Sequence, residues 1–230
     1  MFDARRTGHQ AQASVFERQQ LPKVRLRELE HCCEVLGVKL LRVRNFPDGR
    51  LAEVGLLKLA QPIAHAIWRL KPEIVLTFGA DGLSGHPDHL ALHQAATLAF
   101  ETSAQPGTAL FYVGLNEKSV KQLTNRLEGS LGALPLILTA APQIDLDTAI
   151  NISATSHLKW AALDCHQSQA ANFAGLSEAD RQLLSHSEYF QLAQVAGAYK
   201  VRAVQAGQSG PLATDLFSRV RQCSPLLQTA

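Results

Sequence analysis

The spacing of apolar residues along the chain predicts alternating helices and strands. Apolar positions recur every three to four residues over 24–36, 51–70 and 87–100, which is typical of amphipathic helices. Short apolar runs at 38–43, 73–78 and 109–113 predict buried strands. Weaker patterns predict strands at 134–138, 148–152, 190–193 and 199–204 and helices at 119–127, 153–165 and 215–220. This alternation favours an α/β fold with a Rossmann-like, mostly parallel sheet and helices on both faces.

Length and composition indicate a single core. The chain has 230 residues, of which 46% are hydrophobic and 18% are charged, an ordinary balance for a globular protein. Residues 1–22 are polar, rich in Gln and without a clear period, so we expect a poorly ordered N-terminal segment there. Residues 23–230 are expected to form one domain.

Charge and cysteine content limit the classes of partner. With 22 Lys and Arg against 20 Asp and Glu, the net charge is +2, and no basic stripe suggests a nucleic-acid partner. No apolar run is long enough to predict a membrane span, and the first residues lack the apolar segment of a secretory signal. Without a Cys-x-x-Cys motif, the four cysteines suggest a reduced, cytoplasmic protein, with the adjacent Cys32 and Cys33 packed in a core.

The most informative stretch is Gly-His-Pro-Asp-His at 85–89, which we call the histidine motif. It follows the apolar run at 73–78, and open α/β sheets bind their ligands at the carboxyl ends of strands. His86 and His89 are three residues apart at a predicted helix start, with Asp88 between them. Imidazole and carboxylate groups suit zinc, but a catalytic zinc needs about three protein ligands. Taken alone, the motif is therefore half of a metal site or an ordinary surface pair.

Other motifs accompany the histidine motif along the chain. They are Arg25-x-x-Glu28, Pro47-Asp48-Gly49, the strand at 71–77, Lys159 with the later His166-x-Ser168-Gln169, and Glu188-Tyr189-Phe190. In this order and spacing they resemble the LmbE-like or PIG-L family of zinc-dependent de-N-acetylases. The resemblance implies hydrolysis of the N-acetyl group of an N-acetylglucosamine-type sugar conjugate or a related small amide. It also implies Zn²⁺ or another divalent metal as cofactor and a small amino sugar as substrate.

The same resemblance implies a role for each site residue. His89 matches the family's zinc ligand, His86 matches the histidine that steadies the oxyanion, and Asp88 matches the acidic residue that supports this pair. The substrate-binding candidates are Asp48, Arg25 and His166. Alternatives stay open for them: a turn residue for Asp48, a helix-surface ion pair with Glu28 for Arg25, and a surface position for His166. His93, one turn after His89, is expected to be an ordinary helix-face residue.

The sequence departs from the family pattern at its beginning. The family carries a His-Pro-Asp-Asp motif on its first strand, which supplies two further zinc ligands and the carboxylate that activates water. Only 23 residues precede Val24, and they contain His9 but no Asp-Asp pair, and we expect His9 not to be a ligand. We therefore expect the first central strand to be missing and a sheet edge to be uncovered near 74–78.

This departure leaves three hypotheses open. The chain is an active deacetylase, or a catalytically inactive truncated family member that is a relic or a regulatory fragment, or one half of a split deacetylase. A homo-oligomer or a complementing chain is accordingly left open as a partner.

Overall fold

The computed structural model describes residues 15–127, 145–172, 176–197 and 212–223, so the strands predicted at 134–138 and 199–204 lie outside the described residues. The helices are α1 (Val15–Val35), α2 (Leu51–Val54), α3 (Leu56–Leu70), α4 (Gly82–Gly85), α5 (Pro87–Ser103), α6 (Glu117–Leu127), α7 (Ser156–Asp164), α8 (Glu178–Leu184) and α9 (Leu216–Cys223). The strands are β1 (Ile74–Phe78), β2 (Ala109–Gly114), β3 (Thr148–Asn151) and β4 (Ser187–Val195), and two 3₁₀ turns cover Ser153–Thr155 and Gln167–Asn172.

The described residues group into two compact units. The first unit contains the described parts of Met1–Val43 and Thr155–Ala174, which are α1, α7 and the 3₁₀ turn at Gln167–Asn172. The second unit contains those of Arg44–Ala154 and Gly175–Ala230, with the sheet and the remaining helices. The expected single domain over 23–230, preceded by a poorly ordered segment, stays a prediction.

The second unit is built on a four-stranded sheet in the order β1-β2-β4-β3. Strands β1 and β2 are parallel, whereas β4 runs antiparallel to both of its neighbours. The predicted α/β class is confirmed, but the predicted mostly parallel sheet is wrong for the described strands. The reason is that β4 inserts between β2 and β3, and hydrophobic periodicity carries no information about strand direction.

Helices cover both faces of this sheet because alternate strand residues point to opposite sides. On one face, Leu110 packs with α3 and α5 in a cluster that includes Ile67 and Phe100. On the other face, Ala109 and Phe111 of the same strand pack with β4 and with Val220 of α9. At one edge of the described sheet, β1 exposes 52% of Leu76. The expectation that a strand is missing beside β1 stays a prediction.

Two predicted elements differ from the structure. The helix predicted over 51–70 is two helices, because Gly55 has a φ of 90° and ψ of 138° and interrupts it. The strand predicted at 38–43 is wrong, since this segment joins no sheet within the described residues and its side chains are exposed. A strand needs a hydrogen-bonding neighbour, which an apolar run by itself does not provide.

The helix predicted at 87–100 is α5, and its position decides the geometry of the candidate site. Pro87 occupies the first helical position, where its missing N–H costs nothing. His86 precedes it in an extended conformation and caps the helix. The helix packs on α3 and on β1, so its N-terminus lies near the carboxyl end of β1.

Candidate active site

His86 is the N-cap of α5, a position usually taken by Ser, Thr, Asp or Asn. Its Nδ1 accepts a hydrogen bond of 3.1 Å from the backbone N–H of Asp88. A neutral ring that accepts at Nδ1 carries its proton on Nε2. The exposed ring of His86 therefore presents an N–H donor beside the positive end of the α5 dipole.

In His89 the ring proton is on the other nitrogen. Its Nδ1 lies 2.9 Å from the carbonyl oxygen of Gly82, and because a carbonyl only accepts, Nδ1–H is the donor. The lone pair of the neutral ring is then on Nε2. The ring also stacks on Phe78 at the end of β1, with centroids 4.0 Å apart and planes 6° apart. Histidines that bind metals usually donate their second ring N–H to a carbonyl or carboxylate in this way.

The two imidazoles lie close together, with ring centroids 5.1 Å apart. One ring thus offers a donor and the other a lone pair within one turn of a helix. This is the pairing that a metal-assisted hydrolysis uses, in which one group holds the metal and another stabilises the developing oxyanion.

Asp88 is 6% exposed, and its carboxylate binds backbone rather than an imidazole in the bonds that the structure describes. Oδ2 accepts from the N–H of Gly49 at 2.7 Å, and Oδ1 accepts from the N–H of Leu51 at 2.9 Å. These bonds hold the turn that contains the exposed Asp48 against the first turn of α5. Asp88 thus positions the Pro-Asp-Gly turn relative to the histidine motif.

His93 also fixes α5 in place. Its Nδ1 lies 3.0 Å from the carbonyl oxygen of Phe78, and its ring meets the edge of Tyr112 at a centroid distance of 4.9 Å. The sequence suggested only an ordinary helix-face position. In the structure His93 ties the second turn of α5 to the end of β1.

Gly82 is a site residue that the sequence analysis did not single out. It is buried, has a φ of +61°, and presents its carbonyl to His89. A Cβ built on Gly82 would lie 3.0 Å from Leu90 and 3.2 Å from the Cβ of His89. The available signal was the recurrence of glycine at 79, 82 and 85, directly before the histidine motif.

In the first unit, the candidates Arg25 and His166 lie around the buried carboxylate of Glu28. The two oxygens of Glu28 accept hydrogen bonds of 2.7 Å from the backbone N–H and the hydroxyl of Ser168. These two bonds hold the pKa of Glu28 below its ordinary value, and the nearby charges of His166 and Arg25 lower it further. The Arg25-x-x-Glu28 motif and the His166-x-Ser168 motif are therefore in contact.

The first 100 residues are similar to a known family. Residues 3–100 match the family described as "PIG-L: GlcNAc-PI de-N-acetylase". Over these residues the chain is similar to the PIG-L family. The resemblance suggested by the motifs is thus confirmed, and Arg25, Asp48, His86, Asp88 and His89 all fall within the matched residues.

Three curated relatives are deacetylases named for the same substrate. A "1D-myo-inositol 2-acetamido-2-deoxy-alpha-D-glucopyranoside deacetylase 2" from Catenulispora acidiphila is 28% identical over 69% of this chain and 59% of its own length. Deacetylases of that name from Saccharomonospora viridis and Mycolicibacterium gilvum are 32% and 30% identical over 54% and 58% of this chain. Those matches cover 49% and 47% of the relatives, so the chain spans about half the length of the curated relatives it matches.

Zinc is the metal that the PIG-L resemblance implies, and the donor set of the described residues fits it only in part. His89 has the tautomer of a metal ligand. Among the residues that the structure describes, however, no three His, Cys, Asp or Glu side chains form a group able to hold a metal ion. A catalytic zinc needs about three protein ligands, so the described residues do not by themselves make up a complete zinc site. His9 lies outside the described residues.

The described helices carry no membrane span. None of them combines the length and the apolar character that crossing a bilayer requires. The cytoplasmic location expected from the sequence stays a prediction.

Proposed function

We propose that this chain hydrolyses the N-acetyl group of an N-acetylglucosamine-type sugar conjugate, or of a related small amide. The proposed cofactor is a divalent metal, with Zn²⁺ as the first candidate. The observation that carries the proposal is the bond from His89 Nδ1–H to the carbonyl of Gly82, since it leaves the Nε2 lone pair for a metal. The PIG-L match and the names of the relatives support the reaction class.

In this proposal each residue of the histidine motif has one task. His89 is a metal ligand through Nε2. The Nε2–H of His86 donates to the amide carbonyl oxygen as negative charge develops on it, and α5 adds the positive end of its dipole. Asp88 positions the turn at 47–49 through its two backbone bonds. Addition of water across the amide C–N bond releases acetate and the free amine of the sugar.

The remaining candidates are proposed to bind substrate. Asp48 is exposed on the turn that Asp88 holds, so its carboxylate is placed to accept hydrogen bonds from sugar hydroxyls. Arg25 and His166, both in the first unit, are proposed as substrate-binding residues because of the family resemblance, and Glu28 joins the two segments that carry them.

A second candidate function is a non-catalytic member of the family, either an inactive chain or one half of a split deacetylase. The specific observation that favours it is that the described residues contain no group of three metal ligands. In that case the fold persists without turnover by this chain alone.

Zinc binding and turnover by the full chain distinguish the two candidates. We expect one tightly bound zinc ion per chain and release of acetate from N-acetylglucosaminyl-inositol, both lost in His89→Ala. The control is His65→Ala, which removes an exposed histidine from α3. Zinc binding without acetate release would favour the non-catalytic candidate. If the wild-type chain neither bound zinc nor released acetate, the proposed deacetylase function would be contradicted.

A further inference from the structure

The first unit contains three free cysteines. Cys32 and Cys33 lie near the C-terminal end of α1, and Cys165 directly follows α7. All three are partly buried, and α1 packs against α7 and against the 3₁₀ turn at Gln167–Asn172. The three thiols therefore lie on segments of the chain that contact one another.

The contact between Glu28 and Ser168 fixes how these segments face each other. Two hydrogen bonds of 2.7 Å join the two residues. Cys32 follows Glu28 by four residues, so it lies on the same face of α1, about 6 Å further along the axis. Cys165 precedes Ser168 by three residues and lies on the same side of its helical segment as the buried Ala162. Cys32 and Cys165 are thus each within about one helical turn, along their own segment, of the contact that joins the two segments.

The causes of the pKa shift of Cys32 also indicate that its thiol lies near that of Cys165. Burial raises the pKa of the Cys32 thiol, and the neighbouring Cys165 thiol raises it further. Cys165 has a larger effect on the pKa of Cys32 than Cys33 has, although Cys33 is adjacent in sequence. Of the two thiols near Cys32, the one on the other segment interacts with it more strongly.

We propose that Cys32 and Cys165 are a redox modification site, a dithiol that forms a reversible intramolecular disulfide between α1 and the C-terminal end of α7. The oxidant is a small-molecule disulfide of the glutathione class. One thiolate attacks the reagent to form a mixed disulfide and releases one thiol of the reagent. The second thiolate then attacks the mixed disulfide and releases the other. The protein gives up two protons and two electrons, and the reagent is reduced to two thiols.

This disulfide would join two segments that are far apart in sequence and together form the first unit. A crosslink between distant residues restricts the unfolded chain, so the oxidised protein is expected to unfold at a higher urea concentration than the reduced protein.

The test is oxidation of the full chain by oxidised glutathione, with Cys223→Ser in every variant. The expected product is a monomer lighter by two hydrogen atoms, with Cys32 and Cys165 in one crosslinked peptide and with full reversal by dithiothreitol. Cys33→Ser is the matched control and is expected to form the same bond, whereas Cys32→Ser and Cys165→Ser are expected to form none. Circular dichroism checks that each variant folds.

A further variant tests the geometric argument. Ser168→Ala removes one of the two bonds to Glu28, so it is expected to slow disulfide closure several-fold while the reaction of each thiol with an alkylating reagent stays unchanged or increases. Glutathione adducts without closure, a bond from Cys33 to Cys165, or dimers linked between chains would each overturn the proposal.

Discussion

Within the histidine motif, the direction of each hydrogen bond decides what each side chain offers. His86 accepts at Nδ1 and so presents an N–H, whereas His89 donates at Nδ1 and so presents a lone pair. Both carboxylate oxygens of Asp88 accept hydrogen bonds from the backbone of another segment. Two residues of the same type, three positions apart, are therefore not interchangeable, and replacing either one removes a different chemical group from the site.

Removing the carboxylate of Asp88 should release the turn at 47–49. Asp88→Ala leaves the N–H groups of Gly49 and Leu51 without their acceptor, and we expect a loss of about 1–3 kcal/mol in the free energy of unfolding. Asp88→Asn should lose less, because the amide keeps one accepting oxygen. Urea denaturation followed by circular dichroism measures both.

Glu53→Gln is the matched control for this prediction. Glu53 is an exposed carboxylate on the neighbouring helix α2, where it pairs with Arg50 at the surface. Exposed ion pairs contribute at most about 1 kcal/mol, so this variant should unfold close to the wild type. If Asp88→Ala were no less stable than Glu53→Gln, the positioning role of Asp88 would be contradicted.

At the scale of elements, the segment between β1 and α5 sets the position of His89. Gly82 and Gly85 both have positive φ, +61° and +69°, but their surroundings differ. A Cβ at Gly82 would press on Leu90 and on the Cβ of His89, whereas a Cβ at Gly85 would meet nothing within 4 Å. The two glycines therefore separate backbone strain from steric contact.

Comparing Gly82→Ala with Gly85→Ala measures the steric part alone. Both variants force alanine into the left-handed region, at a cost of about 1–2 kcal/mol. Gly82→Ala should lose about 1–3 kcal/mol more, because its methyl group overpacks against α5. It should also shift the NMR signals of the His89 ring, while Gly85→Ala leaves them close to the wild-type positions. Equal losses in the two variants would contradict the close packing.

The sequence predicted the elements whose signals are local. Helix α5 follows from Pro87 and its apolar face, and β1 and β2 follow from short apolar runs ended by turn residues. The position of β4 between β2 and β3 did not follow, because strand order depends on pairings between residues far apart in the chain. Helix α8 was missed although its capping box at Ser177 and Asp180 was a readable signal.

In the candidate site, too, the residues with a local signal could be predicted, whereas their long-range contacts could not. The motif gave the identities of His86, Asp88 and His89, since these depend only on residue order. It did not give the backbone partners of Asp88, which lie 39 and 37 residues away at Gly49 and Leu51. Nor did it give the bond between Glu28 and Ser168, which spans 140 residues. Long-range hydrogen bonds follow from the completed fold and have no local pattern.

At the scale of the whole molecule, the two units bury very different amounts of apolar surface. Both apolar clusters lie in the second unit, around Phe100 and Phe111. In the described part of the first unit, the buried residues are Ala162 and Glu28. Burial of apolar surface is the main stabilising contribution to folding, so the first unit depends more on its polar contacts. The bonds from Ser168 to Glu28 are prominent among them.

The first unit should therefore be the more sensitive to acid. The Ser168 bonds lower the pKa of Glu28 from 4.5, so they stabilise the folded unit above that pH, and this contribution is lost as the pH falls through the lowered pKa. The two tryptophans report separately, Trp160 on α7 and Trp68 on α3. In Trp68→Phe, the fluorescence of Trp160 should change on acidification at a higher pH than that of Trp68 in Trp160→Phe. Glu28→Gln should reduce the pH dependence of the Trp160 signal, whereas the exposed Glu30→Gln on the same helix should not. Coincident transitions for the two tryptophans, unchanged by Glu28→Gln, would contradict this assignment.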